Sequence, residues 1–236
     1  MVKPRAKPRD LNHVLAALPV GDYRRIASKL EQFSFRRGQP LYEPGRPISH
    51  VYFPRTGVAS IVTRLAEGGT IEIATVGNEG IVGLPAYLGN GNSPTEVMVQ
   101  ISGDAVRMST RTFRQEIRAL ASLRDVVRRY TQARMTQLGQ SAACNRVHSI
   151  VERCARWLLT SHDRVPGDRF HLTQEFLAEM LGVRRATVTQ AAGALRRRGL
   201  IDYRGGVVRI LDRKGLEKAA CECYGLIRSE HQRLVG

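Results

Sequence analysis

Residues 173–200, TQEFLAEMLGVRRATVTQAAGALRRRGL, limit what this chain can fold into more than any other stretch. Two apolar helical patterns there flank one glycine inside a strongly basic segment. Phe176, Leu177, Met180 and Leu181 recur at helical spacing, Ala178 is small where a second helix must cross, and Gly182 suits the turn that ends the first helix. A second helix restarts at Arg184. Its positions Val188, Ala191, Ala192 and Leu195 follow i, i+3, i+4, i+7 and leave Arg185, Ala186, Thr189 and Gln190 on the opposite face. That is the spacing of a helix-turn-helix, whose second helix turns its polar face to base edges in a major groove. The alternative is a plain helical hairpin with a solvated basic face.

The residues after the hairpin favour the first reading. Ile201-Asp202-Tyr203, a turn at Arg204-Gly205-Gly206 and the run VVRIL at 207–211 read as a two-stranded hairpin, which makes the unit winged. Arg196, Arg197 and Arg198 close the second helix, where cations complement the helix dipole and reach phosphate oxygens. Arg184, Arg185, Thr189 and Gln190 are therefore expected to read bases. Thr173, Thr187 and the three arginines are expected to anchor phosphates.

The charge agrees with a polyanionic partner: 236 residues carry a formal net charge of +16, against an apolar content of 42% that is ordinary for a globular protein. Residues 65–106 hold acids but no Lys or Arg. That gap argues against a protein coated in positive charge for membrane binding and leaves double-stranded DNA as the better partner. No run approaches the roughly 18 apolar residues that cross a bilayer. The start, MVKPRAKPRD, is basic and punctuated by proline, and the apolar stretch after it is short and contains His13, so a signal peptide is not expected. Four cysteines without a CxxC pair suggest a reduced cytoplasm and no disulfide framework.

Between Phe33 and Met108 the texture is short β-favouring runs at 41–42, 51–53, 58–64, 70–76, 96–101 and 105–108, separated by Gly, Pro and Asn, which predicts a sandwich or barrel. Residues 110–159 are helical in pattern, with a break near Asn145. Leu123, Val127, Tyr130 and Ala133 form a seam that Gln137 continues in polar form, and such a narrow seam predicts pairing with a second copy, the alternative being a helix packed only on its own barrel. Residues 164–169 read as a connecting loop. Residues 212–234 read as one last helix, with Cys223 on its apolar stripe and Cys221 off it.

Together these parts resemble the Crp/Fnr superfamily of bacterial transcription regulators. The resemblance spans residues 12–211 and rests on GQPLYEPG at 38–45, VYFPRTGV at 51–58 and the segment from Leu172 to Ile201. It implies an α+β protein: an N-terminal β-barrel of the jelly-roll, cyclic-nucleotide-binding type, a long dimerisation helix and a C-terminal winged helix-turn-helix. The expected boundaries are a disordered basic arm at 1–10, a sensor domain at 11–109, the dimerisation helix at 110–145 and the DNA-binding domain at 146–236. RNA polymerase is a further partner the resemblance implies.

The departures bear on the signal. Cyclic-nucleotide binders of this family place Gly-Glu on the ribose and Arg-Ser or Arg-Thr on the phosphate; this chain has Gly80-Ile81 and Ser93-Pro94-Thr95, with no cation in 65–106. A phosphate buried without a cation costs several kcal/mol, so no cyclic-nucleotide binding is expected. Gly80, Ile81, Val82, Gly83 and Leu84 are left as the candidate pocket wall for a hydrophobic effector, the alternative being a dimerisation scaffold without any small ligand. No cysteine precedes Cys144, which argues against the family's N-terminal iron-sulfur cluster. His50 stands alone in the barrel, which argues against haem.

Other classes fit less well. A cupin-like metal enzyme would gather histidines and carboxylates, whereas the histidines at 13, 50, 148, 162, 171 and 231 show no ligand spacing, and no catalytic motif is present. RNA binding would interleave aromatics with the basic residues. No metal and no cofactor are expected. On one continuous helix Cys221 and Cys223 point about 200° apart and cannot easily share a metal, so all four cysteines are expected to be structural, the alternative being a redox-responsive regulator of the same fold acting through an exposed Cys221.

Overall fold

The computed structural model describes residues 12–64, 66, 70–89 and 91–236; the basic arm assigned to 1–10 lies outside them. Two short helices, α1 (His13–Ala16) and α2 (Val20–Ala27), lead into strands β1 (Glu31–Phe35), β2 (Pro40–Tyr42), β3 (His50–Pro54), β4 (Val58–Arg64) and β5 (Thr70–Val76). Then come the one-turn helix α3 (Pro85–Leu88), β6 (Glu96–Ile101) and β7 (Gly103–Ser109). Helices α4 (Thr110–Ala119), α5 (Ala121–Val147) and α6 (Ile150–His162) follow, then β8 (Arg169–His171), α7 (Gln174–Leu181), α8 (Arg185–Arg197), β9 (Ile201–Arg204), β10 (Val207–Ile210), α9 (Arg213–Ala219) and α10 (Cys223–Leu234).

The closed barrel expected from the strand pattern does not form. The N-terminal strands make two open antiparallel sheets, ordered β1-β7-β3 and β2-β6-β4-β5. Inward-outward alternation is the same in a sandwich and a barrel, so side-chain pattern could not separate them. The edges say why closure fails: β2 is three residues long and begins at Pro40, which has no N–H to donate, and α7 packs on the edge strand β5. The strand β1, whose EQFSF alternates weakly, was not foreseen; it pairs with β7 from Glu31 opposite Arg107 to Phe35 opposite Gly103.

Two apolar clusters organise the chain. One fills the sheets and takes in Leu123, Val126, Val127, Tyr130 and Ala133 of α5 together with Leu234 and Val235 at the C-terminus, so α10 returns to the sensor along α5. The other holds α6–α9 and the small sheet β8-β10-β9, and it also includes Val58, Val62 and Ile101 from the sensor sheet. Polar contacts reinforce that junction. Trp157 Nε1 donates to Glu72 Oε1 at 3.2 Å. Arg164, in the loop after α6, donates to both oxygens of Glu79 at 2.7 and 3.0 Å and to Thr75 Oγ1 at 2.5 Å.

Helix α5 runs two residues past the break expected at Asn145 and ends at Val147, with the extended backbone of its C-cap His148 separating it from α6. Ser149 then starts α6 with a capping box, Ser149 and Glu152 each bonding the other's backbone N–H. The single last helix foreseen at 212–234 is instead two, because Ala220 is extended and α10 begins only at Cys223.

Candidate nucleic-acid interface

The helix-turn-helix is built as its residues dictate. Thr173 caps α7 by accepting from the Phe176 N–H at 3.2 Å. Gly182 ends the helix in the left-handed region at φ 63°, and the Val183 N–H closes back on the Ala178 carbonyl at 3.0 Å. Leu177, Leu181, Val188, Ala191, Ala192 and Leu195 are buried together. The wing turns at Gly205 and Gly206, both at positive φ (56° and 71°), as a two-residue hairpin loop requires. Arg169, at the end of the expected 164–169 loop, instead starts a third strand, Arg169–His171, with Val208 opposite Phe170.

On this frame Arg184, Arg185, Thr189, Gln190, Arg196, Arg197 and Arg198 are exposed and Thr187 is half-buried. Arg184 stands at the N-cap of α8 without a side-chain cap, so the first N–H groups of the helix face outward beside Arg185. Two of the polar side chains have partners on α7. Arg185 Nη1 pairs with Glu175 Oε1 at 2.7 Å, and Thr189 Oγ1 donates to Gln174 Oε1 at 2.7 Å. Both pairs are solvent-exposed and cheap to exchange for a base or a phosphate. Thr173 is partly committed to its cap. Glu175 and Gln174 were not singled out in the sequence, although each lies one turn from the crossing and could have been.

The seam foreseen for dimerisation is spent inside the chain: Leu123, Val127, Tyr130, Ala133 and Gln137 are all buried, against the chain's own sheets or within α5. The exposed apolar face of α5 is a different one, with Met135 69% and Leu138 40% exposed and Ala142 one turn on.

The wall from Gly80 to Leu84 is packed rather than open. Gly80 lies against the Tyr130 ring so closely that a Cβ would collide with it, the Tyr130 hydroxyl donates to the Ile81 carbonyl at 3.3 Å, and Val82 bridges to Tyr52. The absence of cations from 65–106 does not leave the interior without one. Arg134 enters from α5, is buried, and donates from Nη1 to the Thr75 carbonyl at 2.6 Å and to Gln137 Oε1 at 2.8 Å.

The cysteines depart most from expectation. Cys221 is only 5% exposed, in the break before α10 rather than on a continuous helix. There its Sγ lies 3.6 Å from that of Cys144, and Cys223 Sγ lies 3.5 Å from His148 Nδ1. The hydrogen bond from Cys221 draws the Cys144 thiol down to about 5 and pushes that of Cys221 up. Cys154 stands apart, its thiol pushed up to about 12 by burial alone. The four donors of Cys144, His148, Cys221 and Cys223 all fall within 4.8 Å of one another, which corrects the expectation of no metal-ligand cluster.

Comparison with known proteins agrees with this architecture. A cyclic nucleotide-binding domain model matches residues 32–119 and a Crp-like helix-turn-helix domain model matches residues 152–219. FixK2 from Bradyrhizobium japonicum superposes with a TM-score of 0.66 at 17% identity, over 81% of this chain and 98% of that one. A CRP-family transcriptional regulator from Thermus thermophilus gives 0.66 at 22% identity, over 80% and 96%. A Crp/Fnr-family regulator from Eubacterium rectale gives 0.65 at 16%, over 87% and 96%. No curated protein matches significantly. Among the described residues no helix is long and apolar enough to cross a membrane. With a nucleotide-binding-type sensor and a Crp-like helix-turn-helix in one chain and in that order, the protein belongs to the Crp/Fnr superfamily of DNA-binding transcriptional regulators.

Proposed function

We propose that the protein is a homodimeric, cytoplasmic regulator that binds a two-fold symmetric DNA site through α8 and needs no cyclic nucleotide to do so. The observation that carries the reading is the start of α8, where Arg184, Arg185, Thr189 and Gln190 are exposed around an uncapped helix N-terminus, with Arg196, Arg197 and Arg198 exposed at its other end. Arg185 and Gln190 read base edges and the terminal arginines hold phosphates. RNA polymerase is the machinery such a regulator would act on.

Dimerisation is supported by the face of α5 that carries Met135, Leu138 and Ala142, whose spacing of three and four residues is that of a helix-pairing seam. Independence from cyclic nucleotides is supported by Tyr130, whose ring occupies the space over Gly80, and by Ile81, which stands where a ribose-binding carboxylate would be needed. Arg134, the cation that α5 brings into the sensor, is held through Nη1 by Thr75 and Gln137, while its Nη2 is buried without a partner.

Fluorescence anisotropy on specific and random DNA tests the assignment. Arg185→Ala should cost about 1–3 kcal/mol on the specific site and blur one position per half-site. Arg197→Ala should weaken both DNAs alike. Equal losses for the two variants on both DNAs would remove Arg185 from base readout. Calorimetry with cyclic AMP and cyclic GMP should give no saturable heat at micromolar concentrations, and a stoichiometric complex would show that Tyr130 yields.

A further inference from the structure

We propose that Cys144, His148, Cys221 and Cys223 form a tetrahedral zinc site that ties the end of the long helix to the junction of α9 and α10. Helix α5 brings Cys144 on its last turn and His148 as its C-cap, four residues on, while the extended break at Ala220 turns both Cys221 and Cys223 toward them. Three thiols and an imidazole are the donor set of structural zinc.

The spacing of the donors selects a single ion. A zinc–sulfur bond of about 2.3 Å puts tetrahedral donors about 3.8 Å apart, and two edges of this cluster already measure 3.6 and 3.5 Å. A four-iron cluster holds its cysteines on separate irons at the corners of a cube, too far apart for donors that all lie within 4.8 Å of one another.

The surroundings are those of a prepared site. His148 Nε2 faces Glu222 Oε1 at 3.1 Å, which fixes the proton on Nε2 and leaves Nδ1 toward the sulfurs, the carboxylate–histidine arrangement that orients zinc ligands. Gln140 Nε2 donates to Cys223 Sγ at 3.1 Å. Three thiolates around one divalent ion carry a net charge of −1, and Arg153 and Arg156 lie within electrostatic reach of Cys144. The Nε of each arginine is buried without a hydrogen-bond partner. Arg153 also donates from Nη2 to the Leu181 carbonyl at 2.5 Å, at the end of the first helix of the helix-turn-helix. Metal loading releases the thiol protons and gives these guanidiniums a counter-charge.

The test uses the full chain, stripped with chelator under reductant and titrated with zinc and separately with cobalt(II), the fold being followed by far-UV circular dichroism. One equivalent of metal per chain is expected, and cobalt should give the sulfur-to-metal charge transfer and strong visible bands of a tetrahedral thiolate centre. Cys221→Ser should abolish both, His148→Ala should weaken affinity at least tenfold, and Cys154→Ser, which removes an equally buried thiol outside the cluster, should leave them unchanged. The proposal is overturned by no stoichiometric metal in the folded wild type, by equal loss in Cys154→Ser, by iron–sulfur absorption in protein purified without oxygen, or by a Cys144–Cys221 disulfide in protein kept under reductant.

Discussion

Arg164→Met probes the junction between sensor and DNA-binding unit more sharply than any other single change. The Arg164 and Glu79 side chains are 6% and 12% exposed, joined by two hydrogen bonds, and Arg164 also satisfies Thr75. Burial pushes the Glu79 carboxyl up, but the Arg164 guanidinium, His231 and the backbone N–H groups of Gly77 and Glu79 together hold its pKa below the ordinary value. Methionine keeps most of the volume and removes the charge, leaving a buried carboxylate without its cation and with the Gly77 N–H as its remaining hydrogen bond at 3.1 Å, which costs about 3–5 kcal/mol. For a chain of this size that is a drop in Tm of roughly 6–20 °C, at about 2–4 °C per kcal/mol. Differential scanning fluorimetry and urea unfolding read it directly. Glu79→Gln in the same chain should recover much of the loss, because no uncompensated charge remains. The sign with pH follows from the lowered pKa: the Glu79 contribution is full above the unfolded carboxylate range and is lost as pH falls through the folded value, so the cost of Arg164→Met should shrink in acid. A loss below about 1 kcal/mol, or single-variant losses that simply add in the double variant, would refute the view of this pair as a buried lock.

Other outcomes rest on single sites. His231 is half-buried, with both ring nitrogens shielded from solvent and without hydrogen-bond partners, and burial lowers its pKa to about 4. The unfolded chain takes up this proton more readily, so stability should fall as pH drops from 6.5 toward 4, at up to about 1.4 kcal/mol per pH unit, and His231→Leu should flatten that slope in urea titrations at stepped pH. Met135→Arg with Leu138→Arg should shift light-scattering mass to the monomer without changing circular dichroism, whereas a persistent dimer would move the interface elsewhere. Gly80→Ala, which drives a methyl into Tyr130, should cost about 1–3 kcal/mol by overpacking, and a neutral result in thermal unfolding would mean that the wall is looser than drawn. Glu175→Gln frees Arg185 and removes a carboxylate beside the DNA face; anisotropy should show tighter DNA binding, and weaker binding would mean that Glu175 itself contacts the site.

Much of the DNA-facing half was legible because its signals are local. Gly182, the apolar stripe of α8 and the Gly205-Gly206 turn each dictate backbone geometry within a few residues. What escaped depends on distant partners. The strand pattern could not show that β2 and β5 would stay edges. The seam through Leu123, Val127 and Tyr130 reads alike whether it meets a second copy or the chain's own sheets, and only the return of Leu234 and Val235 to that core shows which. Arg134 lay outside the acidic segment where a phosphate-binding cation was sought, yet it points into the sensor. The cysteine cluster was hidden by treating 212–234 as one helix: α9 stops at Ala219, and a break of three residues turns two diverging thiols into converging ones.

The claim that α8 reads a symmetric site as part of a dimer is tested most directly by selecting bound sequences from random duplex DNA with the purified protein, in the absence of any nucleotide. The account predicts enrichment of an inverted repeat whose half-sites lie one helical turn apart, about 10 base pairs centre to centre, with Arg185→Ala relaxing the same position in both halves. Enrichment of an asymmetric single site, or none until a cyclic nucleotide is added, would contradict it.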